Sequence, residues 1–189
     1  MVILQYRMEK IQLRDVAEGD LPVLFEFQRE AEANQMADFP ARTREDFVAH
    51  WKSKMHGDPG TVQKAIVAGG VVVGDIVAWE HDGKHLVGYW IGKEYWGKGI
   101  ATRALAEFLS LITARPLHAF VAAHNVASIR VLEKCGFRVF SRGMTHSEVQ
   151  GREIEDLLMR LSKLPICGQV RHSQSGAGVT GQWGYIKMR

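Results

Sequence analysis

The chain has 189 residues, 46% hydrophobic and 24% charged, a composition that fits one globular domain and excludes a disordered or fibrous protein. Its formal net charge of +3 belongs to residues 165–189, which carry Arg171, Lys187 and Arg189 and no acid; the rest is balanced and offers no basic stripe to nucleic acid. No apolar run approaches a membrane-spanning length, the N-terminus lacks a signal-peptide pattern, and two cysteines, Cys135 and Cys167, point to a reducing, cytoplasmic setting without disulfides.

Ile11 to Arg14 alternates like a first strand. Asp20 is placed to cap a helix carrying Leu21, Val23, Leu24, Phe25, Phe27 and Ala31 at helical spacing. A loop from Ala37 to Arg42 contains Pro40. Thr43 can cap a second helix bearing Phe47, Val48, Trp51 and Met55, ended by Gly57 and Pro59. Ala65 to Ala68 and Val71 to Trp79 flank Gly69-Gly70, a strong two-residue hairpin signal, and His81-Asp82-Gly83-Lys84 turns the chain into a strand from Leu86 to Gly92.

Next comes a helix with Ile100, Ala101, Ala104, Leu105, Phe108 and Ile112 on one face. Pro116 opens a strand over Leu117 to Ala123. Asn125 can cap a helix that Gly136 ends in a left-handed C-cap. Phe137 to Phe140 and Ile154 to Leu161 read as closing strands. This order predicts an α/β (α+β) fold, a mixed and mostly antiparallel sheet flanked by helices with a βαβ unit at its centre. The domain is expected over 1–164, followed by a Gly/Ser/Gln-rich tail over 165–189. In that tail Trp183 and Tyr185 want burial and could dock on their own domain or on another subunit of a homodimer.

The stretch from Ile91 to Thr102 carries most information. A strand end runs into a loop with Gly97 and Gly99, and the loop runs straight into a helix. Glycines there allow a tight turn and close approach of a ligand, while the helix start presents free N–H groups and a positive dipole end. Such a concavity suits a pyrophosphate. The loop lacks the third glycine of the dinucleotide fingerprint and the Gly-Lys-Ser/Thr ending of a P-loop.

The second informative segment runs from Asn125 through Ser128 and Glu133-Lys134-Cys135-Gly136-Phe137. Together the two segments resemble motifs A and B of the GNAT N-acetyltransferase superfamily, over roughly Ile11 to Leu161. Gly99-Ile100-Ala101 fills the second half of the Gln/Arg-x-x-Gly-x-Gly/Ala motif. Trp96 stands where Gln or Arg is usual, as in the branch containing the ribosomal-protein N-terminal acetyltransferases.

The resemblance implies an acyl-CoA N-acyltransferase fold using acetyl-CoA as co-substrate. The acetyl group would pass directly to a primary amine of a small molecule or of a peptide N-terminus. Main-chain groups near Trp90, Ile91 and Gly92 would pair with the pantetheine arm, where the strand splays from its neighbour. Trp96, Gly97, Lys98, Gly99, Ile100, Ala101 and Thr102 would hold the pyrophosphate, with Lys98 and Arg103 able to reach phosphates. Asn125 would contact the pantetheine or leaving group besides capping its helix.

Transfer requires an aligned acyl carbon, a deprotonated amine and stabilisation of the departing sulfur. Many relatives place a Tyr acid immediately before Glu-Lys, and here that position is Leu132. Ser128 is the replacement that could hydrogen-bond the thiolate. For the base Glu80 is the first candidate, with Asp75, His81 or a water relay as alternatives. Cys135 reads as a buried apolar residue, His118 and His124 as structural, and no metal site is expected. Glu30, Glu32 and Asp38 could greet a cationic acceptor. Substrate contacts are expected from Ala31 to Pro40, the second helix and the loop Thr145 to Arg152. The alternative reading is a non-catalytic acyl-CoA-binding sensor or assembly module on the same fold, suggested by Leu132.

Overall fold

The computed structural model describes residues 10–57 and 60–163. The expected tail, with Trp183 and Tyr185, and the side chain of Met55 lie outside them, as does Pro59.

Strands β1 (Ile11–Arg14), β2 (Val62–Ala68), β3 (Val71–His81), β4 (Lys84–Ile91), β5 (Leu117–Ala122), β6 (Arg138–Ser147) and β7 (Arg152–Leu161) form one sheet. Its order is β1-β2-β3-β4-β5-β7-β6. Every neighbouring pair is antiparallel except β4 and β5. Helices α1 (Leu21–Gln28), α2 (Ala31–Ala37) and α3 (Arg44–Gly57) precede β2, α4 (Ile100–Leu111) joins β4 to β5, and α5 (Val126–Lys134) follows β5. The mixed, mostly antiparallel sheet and its central βαβ unit are as the sequence predicts. No helix among the described residues is long and apolar enough to cross a membrane.

Local signals account for most boundaries. Gly69 and Gly70 both take positive φ, as do Asp82 and Gly83, so both hairpins close on two residues of the primed turn type. Thr43 caps α3 reciprocally: the Asp46 N–H donates to Thr43 Oγ1 (3.1 Å), and that hydroxyl donates to the Asp46 carboxylate (2.9 Å). At the end of α5 the Phe137 N–H donates to Leu132 O and the Gly136 N–H to Glu133 O, both at 3.0 Å, which is the Schellman arrangement.

Expectations change in three places. The closing strand expected over Phe137 to Phe140 runs on to Ser147, so the loop expected from Thr145 to Arg152 narrows to residues 148–151. Asp20 does not cap α1 with its side chain, because its carboxylate is held bidentately by the Arg14 guanidinium (2.6 and 2.8 Å) and accepts the Ala17 N–H (2.8 Å). That pairing holds the Asp20 carboxyl below its usual range. The first helix also ends at Gln28 rather than running on to Ala31: Glu30 is extended (φ −64, ψ 118) and starts α2 as a separate helix. Lys93 bridges the carboxylates of Glu30 (3.3 Å) and Glu32 (2.7 Å).

The sheet has two covered faces. On one, Ile76, Val87, Ala119, Val121, Leu157 and Met159 pack against Ile100, Ala104, Leu105 and Phe108 of α4 and Leu132 of α5. On the other, Trp90 meets a cluster of Leu21, Leu24, Phe27, Phe47 and Trp51 from α1 and α3. Fully burying one such side chain contributes roughly 1.5–3 kcal/mol.

The tightest seam between that second cluster and the sheet is at Gly92, where a Cβ would lie 2.6 Å from the Phe27 ring. Gly92→Ala is therefore expected to lower stability by about 1–3 kcal/mol through forced displacement of that ring. Urea melts of the two proteins check this, and equal midpoints would contradict it.

Candidate active site

The parallel strands β4 and β5 pair only at His85–Leu117 and Leu86–His118, then diverge. The gap becomes a cleft of about 780 Å³ running through the sheet. Its direction follows from strand alternation. The Gly92 N–H donates to Val73 O (3.0 Å), and β3 and β4 keep one register throughout. Alternate main-chain groups therefore turn away from β3, and those of Val87, Tyr89 and Ile91 face the gap. The main chains of Trp90 and Gly92 are directed to β3 instead. Trp90 lines the cleft with its side chain instead, its indole N–H donating to Phe27 O (2.9 Å). Gly92 does not line the cleft; it is glycine because Phe27 lies against it.

Beyond β4 the chain makes a short 3-10 turn over Lys93–Tyr95 and enters the glycine loop. Trp96, Gly97, Lys98, Gly99, Ile100, Ala101 and Thr102 all line the cleft. Gly99 precedes α4 at φ +72, a conformation costly for a side-chain-bearing residue, and a Cβ there would project into open space. Trp96 is more than a substitute at its motif position, since its indole N–H donates to Ile91 O (2.8 Å) and ties the loop back to β4. Lys98 Nζ donates to Glu94 O (2.7 Å) beside the Tyr95 ring.

Across the gap, Asn125 and Ser128 begin α5. Asn125 caps the helix as expected, its Oδ1 accepting the Ser128 N–H (3.0 Å), which leaves its amide NH₂ as donors. The Ser128 hydroxyl sits 2.8 Å from the Tyr89 hydroxyl. Burial raises the Tyr89 phenol far above its ordinary value, so it stays protonated. Leu132, where many relatives carry Tyr, is an apolar wall of the cleft and 2% exposed.

Several lining residues escaped the sequence reading, among them three with polar side chains. Tyr89 looks like any strand aromatic until its partner on α5 is known. Arg130 and Lys134 line the cleft, as Lys98 does, whereas Arg103 does not. Their signal was available: Ala127, Arg130, Val131 and Lys134 follow the spacing of one helix face.

The catalytic acids fare differently. Glu80 is exposed and pairs with His85, at the closed end of the β4–β5 gap, so the structure does not bring it to the cleft. His81 lies beyond it, exposed and 3.4 Å from the Asp82 carboxylate. Asp75 is level with Trp90 but sealed, 7% exposed, with its carboxyl pushed up to about 7 by burial against the opposing pull of Arg42. Among the described residues no acid or histidine lines the cleft. Burial pushes the Cys135 thiol up, consistent with a small core residue. His118 contacts His85 O (3.4 Å) and His124 contacts Gln35 O (2.9 Å). No cluster among the described residues could hold a metal ion.

The site is thus a split in the sheet beside a glycine loop, with Lys98, Arg130 and Lys134 among its lining residues. The profile of the Acetyltransferase (GNAT) domain matches residues 10–138, and the chain belongs to that family. Solved structures share the fold. The spermidine N-acetyltransferase of Vibrio cholerae, determined with CoA and spermine, superposes with a TM-score of 0.72 at 16% identity over 80% of this chain and 95% of its own. The microcin C7 self-immunity acetyltransferase, determined with acetyl-CoA and AMP, gives 0.69 at 16% identity, 82% and 93%. A GNAT-family acetyltransferase of Bacillus anthracis gives 0.68 at 18%, 82% and 95%. No curated protein matches the sequence.

Asp75 makes a pH-dependent contribution whose sign is clear. Its folded pKa lies above the unfolded value near 3.9, so between about pH 4 and 7 the folded state holds a proton that the unfolded chain has lost. Stability from this group therefore falls as pH rises through that window. Relative to wild type, Asp75→Asn should gain stability across it, by at most about 1.4 kcal/mol per pH unit. Denaturant melts of both proteins at pH 5 and 8 check this, and a constant difference would contradict it.

Proposed function

We propose that this protein is an N-acetyltransferase that moves the acetyl group of acetyl-CoA directly to a primary amine. The observation that carries the reading is the β4–β5 split, because it alone supplies main-chain donors and acceptors to an extended ligand lying between strands. The pantetheine arm would extend that sheet edge at Val87, Tyr89 and Ile91. Its pyrophosphate would sit against the N–H groups that begin α4, with Lys98, Arg130 and Lys134 around its charge. The open space at Gly97 and Gly99 suits a close-lying diphosphate.

In the reaction, the amine nitrogen bonds to the thioester carbonyl carbon, the C–S bond breaks, and CoA leaves as the thiolate. Main-chain N–H groups at the split are positioned to stabilise charge on the carbonyl oxygen. The nitrogen's proton leaves through water, since no side chain lining the described cleft is a base. The sulfur is met by Ser128. With Tyr89 donating to its oxygen, Ser128 can direct its own proton at the leaving group. The Trp96 loop favours the branch of the ribosomal-protein N-terminal acetyltransferases, whereas the solved relatives with bound spermine or AMP favour small acceptors.

Release of free CoA with a panel of amines and N-terminal peptides tests the proposal; no release with any of them would favour the non-catalytic acyl-CoA sensor. With an accepted amine, Ser128→Ala should lower kcat by about tenfold to a hundredfold, the worth of one hydrogen bond to a charged group. Tyr89→Phe should cost less. Glu80→Gln should keep full turnover, and a large loss there would restore Glu80 as the base.

A further inference from the structure

Trp96 stands where the split ends and the glycine loop begins. Its indole N–H donates to Ile91 O (2.8 Å), and Ile91 closes β4 with its main chain facing the gap. The chain between them is a 3-10 turn held by local main-chain bonds, Tyr95 N–H to Gly92 O (2.8 Å) and Trp96 N–H to Lys93 O (3.1 Å). Gly97 and Gly99 follow at once, both with positive φ, and α4 starts at Ile100. The indole is therefore fixed between the edge of β4 and the loop, by a bond made along one side of the ring.

The rest of the ring is left to the cleft. Trp96 belongs to neither apolar cluster of the fold, lines the cleft and is 36% exposed. Trp51, by contrast, is buried among α1 and α3, and Trp90 is half-buried beside Phe27 and Phe39. An indole oriented by its N–H and open on its apolar surface is a preorganised contact for an apolar group.

Acetyl-CoA carries one such group at the matching place. Between its diphosphate and its first amide stands the pantoyl unit, with two methyl groups on one carbon. With the amides along Val87, Tyr89 and Ile91 and the diphosphate at the start of α4, those methyls fall at the junction that Trp96 occupies. We infer that the Trp96 ring is the recognition surface for the gem-dimethyl group of the pantoyl unit. This rests on the acetyl-CoA reading above. Gln or Arg, usual at this motif position, could supply the N–H for Ile91 O but not the ring, so the contact is particular to tryptophan.

The experiment measures binding by the full-length chain, beginning with a thermal shift on adding CoA. Absence of a shift would sink the co-substrate reading itself, and the inference with it. Given a shift, wild-type protein should bind CoA about tenfold more tightly than a CoA analogue whose pantoyl carbon bears hydrogens in place of the two methyls. Trp96→Gln keeps an N–H donor for Ile91 O and removes the ring, so it should bind the two compounds equally. Its affinity for 3′-phospho-ADP, which keeps the nucleotide and diphosphate and lacks the pantoyl unit, should be unchanged. Trp96→Phe retains an aromatic ring and should keep part of the preference; it replaces Trp96→Gln should that variant not fold. The inference is overturned by equal wild-type affinities or by an undiminished ratio in Trp96→Gln. It is equally overturned by a loss of 3′-phospho-ADP affinity as large as that of CoA, which would make Trp96 a tether of the loop only.

Discussion

Everything at the site depends on two neighbouring parallel strands pairing for only two residues. A sheet that kept β4 and β5 together to their ends would be better hydrogen-bonded and would have no cleft. Separation exposes strand edges whose main-chain groups need partners, a debt that a ligand between the strands can settle. The cost is offset elsewhere. β4 is fully paired with β3 on its other side, and β5 with β7, so each diverging strand remains fixed by one regular ladder.

The divergence is held open from both faces. On one, α4 and α5 pack into the main core, and the link between Tyr89 and Ser128 fixes the start of α5 against the gap-facing side of β4. On the other, the Trp90 indole donates to Phe27 O, and Phe39 stacks edge-on to Trp90 at 5.9 Å. The side chain of Trp96 closes the arrangement by bonding the last residue of β4. That bond gives a physical reason for an indole where the motif elsewhere has Gln or Arg: a long N–H donor must reach back to the strand end.

Features determined by neighbours in sequence were legible, and features determined by distant partners were not. The two hairpins, the Thr43 and Asn125 caps and the Gly136 C-cap depend on a few adjacent residues, and they are found where the sequence places them. The glycine loop is equally local. Asp20 looks like a cap because its neighbours allow it, yet Arg14 of β1 takes its carboxylate. Glu80 and Asp75 both read as acids on a central strand. Only the β3–β4 register separates them, setting one opposite His85 and the other opposite Trp90.

The most direct test of this account is hydrogen–deuterium exchange of the full-length protein with and without acetyl-CoA. If the split is the co-substrate's seat, protection should concentrate in three segments: 87–91 on β4, 96–101 in the glycine loop and 125–128 at the start of α5. The outer strands β1 and β6 should be unchanged. Protection confined to other segments, or none at saturating acetyl-CoA, would contradict it.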